Sequence, residues 1–140
     1  MTVSIEITQD IAACLELRRV VFIEEQGVSE TDERDDLDSQ ATHLLALADG
    51  KPVGSARLLT FGNTGKIGRV CVLKEQRGTG LGAELIRAAV KEFRRMPGIE
   101  KVKLGAQSHA LGFYEKLGFT AYGPEFDDAG IPHRDMVVVL

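Results

Sequence analysis

The sequence predicts one α/β domain, a mixed sheet with helices on both faces. Three observations predict it. Apolar runs of strand length recur along the 140 residues, punctuated by Asp-Gly, Gly-Asn and Pro-Gly turns. A glycine-rich turn, Arg77-Gly78-Thr79-Gly80-Leu81-Gly82-Ala83, joins a strand-like run (Ile67 to Leu73) to an amphipathic helix (Leu81 to Arg95). Before that turn the chain reads as an antiparallel meander, where a dinucleotide fold would alternate strands with helices. A chain of 140 residues is enough for one core.

In chain order, Val3 to Ile7 alternates apolar and polar residues, a first edge-like strand. Asp10 is placed to cap a helix whose buried stripe is Ile11, Cys14, Leu15, Val21 and Phe22, with Gly27 as its stop. Ser29 to Gln40 is polar, acidic and without periodicity, and reads as a mobile loop with one helical turn. Thr42 to Ala48 is the next strand; Asp49-Gly50 signals a hairpin into the strand from Pro52 to Thr60. Gly62-Asn63-Thr64-Gly65 turns into the Ile67–Leu73 strand. The helix after the glycine turn buries Leu85, Ile86, Ala89 and Phe93 and ends at Met96-Pro97-Gly98. Lys101 to Leu104 reads as a short parallel strand. Ser108 is placed to cap a helix running to Leu117, stopped by Gly118. Phe119 to Tyr122 and Met136 to Leu140 read as the last strands, with Gly123 to Asp135 as a loop between them.

The glycine turn carries the first chemical inference. Glycines opening a helix let backbone amides approach a ligand closely, and the first amides of a helix lack partners and carry partial positive charge. That is an anion site, and Arg77 adds a planar, permanently charged donor. A pyrophosphate cradle follows. It is not a P-loop, because Ala83-Glu84 stands where Lys-Ser/Thr is needed. Gly78-x-Gly80-x-x-Ala83 fits the dinucleotide fingerprint, with Glu100 near the place of a ribose-binding acid, but too little chain remains for two mononucleotide halves.

Composition excludes other classes. The net charge of −4 argues against nucleic acid as a partner, and no apolar run approaches membrane-spanning length. Met1-Thr2-Val3-Ser4 shows no signal-peptide pattern, so the cytoplasm is the expected location. Cys14 and Cys71 lack motif spacing and read as reduced, buried thiols; no Cys/His cluster has metal-ligand spacing, so no metal is expected. Glu24 to Asp38 holds eight acids and one arginine, a local −7 that leaves +3 on the remainder. That segregation suits an enzyme binding an anionic cofactor and a cationic acceptor, and equally suits a solvated acidic loop.

Two blocks together resemble a known family. Arg77-x-x-Gly80-x-Gly82 is similar to the Arg/Gln-x-x-Gly-x-Gly/Ala signature of the GNAT (Gcn5-related) N-acetyltransferases. Gln107-x-x-Ala110-x-x-Phe113-Tyr114-x-x-x-Gly118-Phe119 is similar to that family's second block, with Gln107 in place of the usual Asn. Three further pieces, Val21-Phe22-x-x-Glu25-Gln26-x-Val28, His43 and Gly130-Ile131-Pro132-His133 with Met136, resemble the small bacterial ElaA-like subgroup. The resemblance covers essentially the whole chain. It implies a mostly antiparallel sheet of about six or seven strands, splayed at a cofactor site. It implies acetyl-CoA as co-substrate and direct transfer to a primary amine in a ternary complex.

By that resemblance the pantetheine arm pairs with the strand containing Val70, Cys71 and Val72. The pyrophosphate meets Arg77, Gly78, Thr79, Gly80, Leu81, Gly82 and Ala83. Gln107, Phe113 and Tyr114 complete the cofactor set, and Tyr114 becomes the general acid for the departing thiolate. Phe113 is assigned to the core. A base is not fixed: many relatives place a Glu before the cradle, where this chain reads Ile67-Gly68-Arg69-Val70. Glu25, Asp35 and His133 are the candidates. Glu25, Gln26 and His133 are also candidates for lining the acceptor pocket, against capping and turn roles. Cys71 as a nucleophile lacks a recognisable His partner. The expected acceptor is a small cationic or peptide-like amine, with a homodimer left open. A non-catalytic acyl-CoA-binding module and an NAD-binding fragment are the competing readings.

Overall fold

A seven-stranded sheet in the order β1-β2-β3-β4-β5-β7-β6 organises the protein. The computed structural model describes residues 2–140; Met1, part of the N-terminal reading, lies outside the described residues. The strands are β1 (Val3–Thr8), β2 (Thr42–Ala48), β3 (Lys51–Phe61), β4 (Thr64–Val72), β5 (Lys101–Gln107), β6 (Thr120–Asp128) and β7 (Ile131–Val139). All neighbours are antiparallel except β4 and β5. The meander β1 to β4 excludes the NAD-binding reading, which requires parallel βαβ units.

Consecutive left-handed residues make the tight hairpins: Asp49 (φ 50°) with Gly50 (φ 82°), and Ala129 (φ 53°) with Gly130 (φ 81°). The second of these corrects an expectation. Gly123 to Asp135 is no loop but the paired halves of β6 and β7, with a register shift between Tyr122 and Phe126. Pro124 sits in that shift, on an edge strand, where the missing N–H costs no ladder bond.

Both sheet faces are covered, which is why β2 and the middle of β3 are buried almost throughout instead of alternating. On one face lies α3 (Leu81–Arg95), with Leu81, Leu85, Ile86, Ala89 and Phe93 buried against Leu58, Ile67, Val102 and Met136. Gly65 is a close approach: a Cβ there would stand 2.5 to 2.8 Å from the Phe93 ring. On the other face α1 (Ile11–Arg18) is capped by Asp10, whose carboxylate accepts from the Ala13 amide at 3.1 Å. It buries Cys14 and Leu17 against Leu45 and Cys71.

The stripe expected on this helix is partly wrong, because α1 passes into a π-helical segment, Arg19–Glu25, and the 3.6-residue period is lost. Leu15 is exposed; Leu17 and Arg18 are buried in its place.

The acidic segment is not a mobile loop. Its one turn, α2 (Glu30–Glu33), is capped by Ser29, and a 3₁₀ turn covers Asp38–Gln40. Arg18 pairs with Glu33, and with Asp38 at 2.8 Å. Arg57 forks onto Asp35 at 2.8 and 2.9 Å and reaches Asp38 at 3.2 Å. Arg69 donates to the Glu33 carbonyl at 2.9 Å and to Asp35 at 3.3 Å. His43, buried, bonds the Asp38 carbonyl at 2.9 Å through Nε2. Glu24, Glu25 and Glu30 pair with Arg19, Arg77 and Arg34. The acids of the run are therefore mostly neutralised within the protein.

Candidate active site

The parallel ladder between β4 and β5 runs from Thr64 and Lys101 only to Ile67 and Leu104. Beyond it β4 turns away. The cause is one extra residue: Ser55 faces Cys71 while Arg57 faces Gly68, so Arg69 and Val70 on β4 oppose Ala56 alone. Arg69 takes φ +51°, a left-handed conformation uncommon outside glycine. Its guanidinium, tied to Glu33 and Asp35, holds it there. The divergence opens a cleft of about 340 Å³, lined by residues of β4, β5, the β6–β7 hairpin, α2 and the end of the first helical segment.

At the end of β4 stands the glycine turn. Gly78 (φ 79°) and Gly80 (φ 87°) are left-handed, and Gly80 caps α3 with no side-chain bond to its first amides. The amides at this helix end therefore sit at the positive end of the dipole, at the place where the sequence leads one to expect an anion cradle. Thr79 turns back, its hydroxyl donating to the Gln76 carbonyl at 2.6 Å. Arg77 is already engaged, with Nε on the Val72 carbonyl at 3.1 Å and Nη2 on Glu25 at 2.7 Å.

A 3₁₀ turn (Ser108–Ala110) and α4 (Leu111–Glu115) follow β5. Ser108 does not cap the helix: its hydroxyl donates to Glu125 at 2.8 Å. Of the two aromatic residues, Phe113 departs from the core position expected for it. Phe113 is 42% exposed and lies outside the core, its ring 3.5 Å from where a Cβ on Gly82 would stand. Tyr114 lines the cleft, edge-on to Phe113 at 5.0 Å and to Phe119 at 6.2 Å. Burial pushes its phenol above the ordinary tyrosine pKa, so it stays protonated at neutral pH.

His133 also lines the cleft, 9% exposed and stacked on Phe126 with centroids 5.8 Å apart. Its Nδ1 lies 2.7 Å from the Ile131 carbonyl. A carbonyl only accepts, so Nδ1 carries the proton and the neutral ring keeps its lone pair on Nε2. Gln107, opposite His133 in the β5–β7 register, donates to Gln26 at 3.1 Å and meets His109 at 2.7 Å.

Of the three base candidates, only His133 lies in the cleft. Glu25 stands outside its lining, on Arg77, and Asp35 is held by Arg57. Gln26 does line it. Val70 lines the cleft, while Cys71 points to the α1 side, its thiol 3.4 Å from the Ser55 hydroxyl. Burial pushes that thiol up to about 11, against the Ser55 bond, so it is no thiolate nucleophile. Phe22, part of the ElaA-like piece of the sequence, lines the cleft, and so do Gly68, Gly105, Asp128 and Asp135, which no sequence motif marks. Strand alternation carries the one available signal: Gly105 and Gln107 share a face, as do His133 and Asp135. Among the described residues no group of three or more His, Cys, Asp or Glu could hold a metal, and no helix is long and apolar enough to cross a membrane.

A meander running into a bulged strand, a parallel partner that parts from it, and a glycine-capped helix at the parting define the architecture of an acyl-CoA-dependent transferase. The family model of the acetyltransferase (GNAT) domain matches residues 18–140, and the chain belongs to that family. It is 42% identical to the uncharacterised protein YyaT of Bacillus subtilis over 127 residues, 89% of this chain and 85% of that one. It is 33% identical to ElaA of Escherichia coli over 128 residues, 89% of this chain and 84% of that one, in accord with the ElaA-like pieces of the sequence. A solved acyl-CoA N-acyltransferase from Pseudomonas aeruginosa superposes with a TM-score of 0.85 at 31% identity, covering 98% of both chains.

Proposed function

We propose that the protein transfers an acetyl group from acetyl-CoA to a primary amine by direct attack in a ternary complex. The parting of β4 and β5 beside the Gly80 cap, with Tyr114 and His133 in the resulting cleft, is the observation that carries this. The cradle would take the diphosphate, and the freed backbone edge around Val70 to Val72 would take the pantetheine amides as an added strand. The amine nitrogen forms a bond to the thioester carbon as the carbon–sulfur bond breaks. Nε2 of His133 accepts the proton the amine gives up, and the Tyr114 phenol donates one to the sulfur. Amides freed by the β4 bulge favour the carbonyl oxygen as it becomes anionic.

The acceptor is proposed to be a small cationic or peptide-like amine. The acid run, largely paired within the protein, no longer supports that class. Asp32, the one acid of that run in the cleft without an ion pair among the described residues, does support it, together with Asp128 and Asp135, which also line the cleft and have no ion pair among the described residues.

The deciding experiment is thiol release from acetyl-CoA across a panel of amines, with His133→Gln beside the wild type. Turnover with an amine, and a fall in kcat in the variant with CoA affinity unchanged, supports the reading. CoA binding without turnover on any amine would favour a non-catalytic acyl-CoA-binding module.

A further inference from the structure

Glu25 and Gln26 close the first helical segment, and the reaction just described gives neither a chemical role. Yet these consecutive residues reach the two parted strands separately. Glu25 accepts from Arg77 at 2.7 Å, and Arg77 is anchored at 3.1 Å to the carbonyl of Val72, the last residue of β4. Gln26 accepts at 3.1 Å from Gln107, the last residue of β5. The segment therefore straps across the gap where the ladder has ended. Gln26 in the strap, and Phe22 and Val28 on either side of it, line the cleft itself.

Arg77 stands three residues before the Gly80 cap and belongs to the anion cradle. It thus has two anionic claimants, Glu25 and the diphosphate of the cofactor. A diphosphate held also by helix amides outcompetes a single carboxylate on a pair that is 44% and 30% exposed. Once it is bound, Glu25 faces it as a like charge.

We propose that Glu25 is a stand-in anion that holds Arg77 in the free protein, and that diphosphate binding takes the guanidinium over and releases the Glu25–Gln26 strap from the cleft. Glu25 is in this account a positioning residue. The proposal rests on the acetyl-CoA reading and deepens it.

Calorimetric titration with CoA tests it on wild type, Glu25→Gln, Arg77→Gln and the double variant. Removing the competing carboxylate should tighten CoA binding about two- to five-fold, and the gain should vanish when Arg77 is Gln. Amide hydrogen exchange gives a second reading. The amides of Gln26 and Val28, bonded to the Val21 and Phe22 carbonyls, should exchange faster when CoA is added to the wild type. Unchanged or weaker binding by Glu25→Gln, or CoA-induced protection at these amides, overturns the proposal and leaves the acetyl-CoA reading standing. Absence of CoA binding by the wild type overturns both.

Discussion

Replacing Asp35 by Asn tests whether the acidic segment is a built part of the fold. Its carboxylate accepts both arms of the Arg57 fork, and that bonding holds its pKa down at about 2, against burial. The ordinary aspartate value is about 3.9, and each tenfold change in proton affinity is worth about 1.4 kcal/mol, so the pairing contributes at most roughly 2.5 kcal/mol. The side chain is 27% exposed, and solvent screening brings the expected loss to about 1–2 kcal/mol. The depressed pKa fixes the sign. Such a carboxylate contributes fully above its unfolded pKa, and the contribution is lost as pH falls through the folded value. Urea unfolding followed by circular dichroism should therefore show a constant gap between wild type and Asp35→Asn above about pH 5. The gap should narrow below about pH 4 and close near pH 2. A gap independent of pH, or none at pH 7, would refute the assignment of Asp35 to a stabilising network.

Gly65→Ala should destabilise the fold by about 1–3 kcal/mol, because Phe93 is fully buried and has nowhere to move from the new methyl; adding Phe93→Leu should recover part of it, read by thermal melting. Tyr114→Phe should lower kcat by about 10²-fold with CoA affinity unchanged, and equal turnover would remove Tyr114 from the mechanism. Cys71→Ala should keep turnover within about two-fold, since a thiol held up at about 11 is neutral at working pH and contributes packing only.

What is legible in the sequence is periodic or punctuated. The α3 helix reads with its observed bounds because its apolar spacing is regular and glycine and proline mark its ends. The Asp49-Gly50 hairpin is equally plain. What escapes depends on partners far away in sequence. No local pattern announces that Glu33, Asp35 and Asp38 will meet Arg18, Arg57 and Arg69, so a mobile, solvated loop is the natural reading of an ordered, ion-paired segment. The π-helical Arg19–Glu25 breaks a stripe drawn with the ordinary helical period. At the site, the family-like block locates Tyr114 but not which of the adjacent aromatics faces inward, because two neighbours on a short helix differ only in tertiary surroundings.

The same ion network explains why the cleft has its shape. An extra residue in β4 costs ladder bonds, and a left-handed arginine costs backbone strain of order 1 kcal/mol. The bulge persists because Arg69 gains the Glu33 carbonyl and Asp35 in exchange. Those partners are in place only because Arg18 and Arg57 hold the acidic segment against the sheet. The acids that seemed to advertise a cationic substrate thus act one step earlier: they pin the residue that turns β4 away from β5. Weakening them should narrow or disorder the parting of the strands before it touches any group in the cleft. On this argument Asp35→Asn, remote from every reacting atom, lowers CoA affinity as well as stability, and titration of CoA into the folded variant measures that coupling directly.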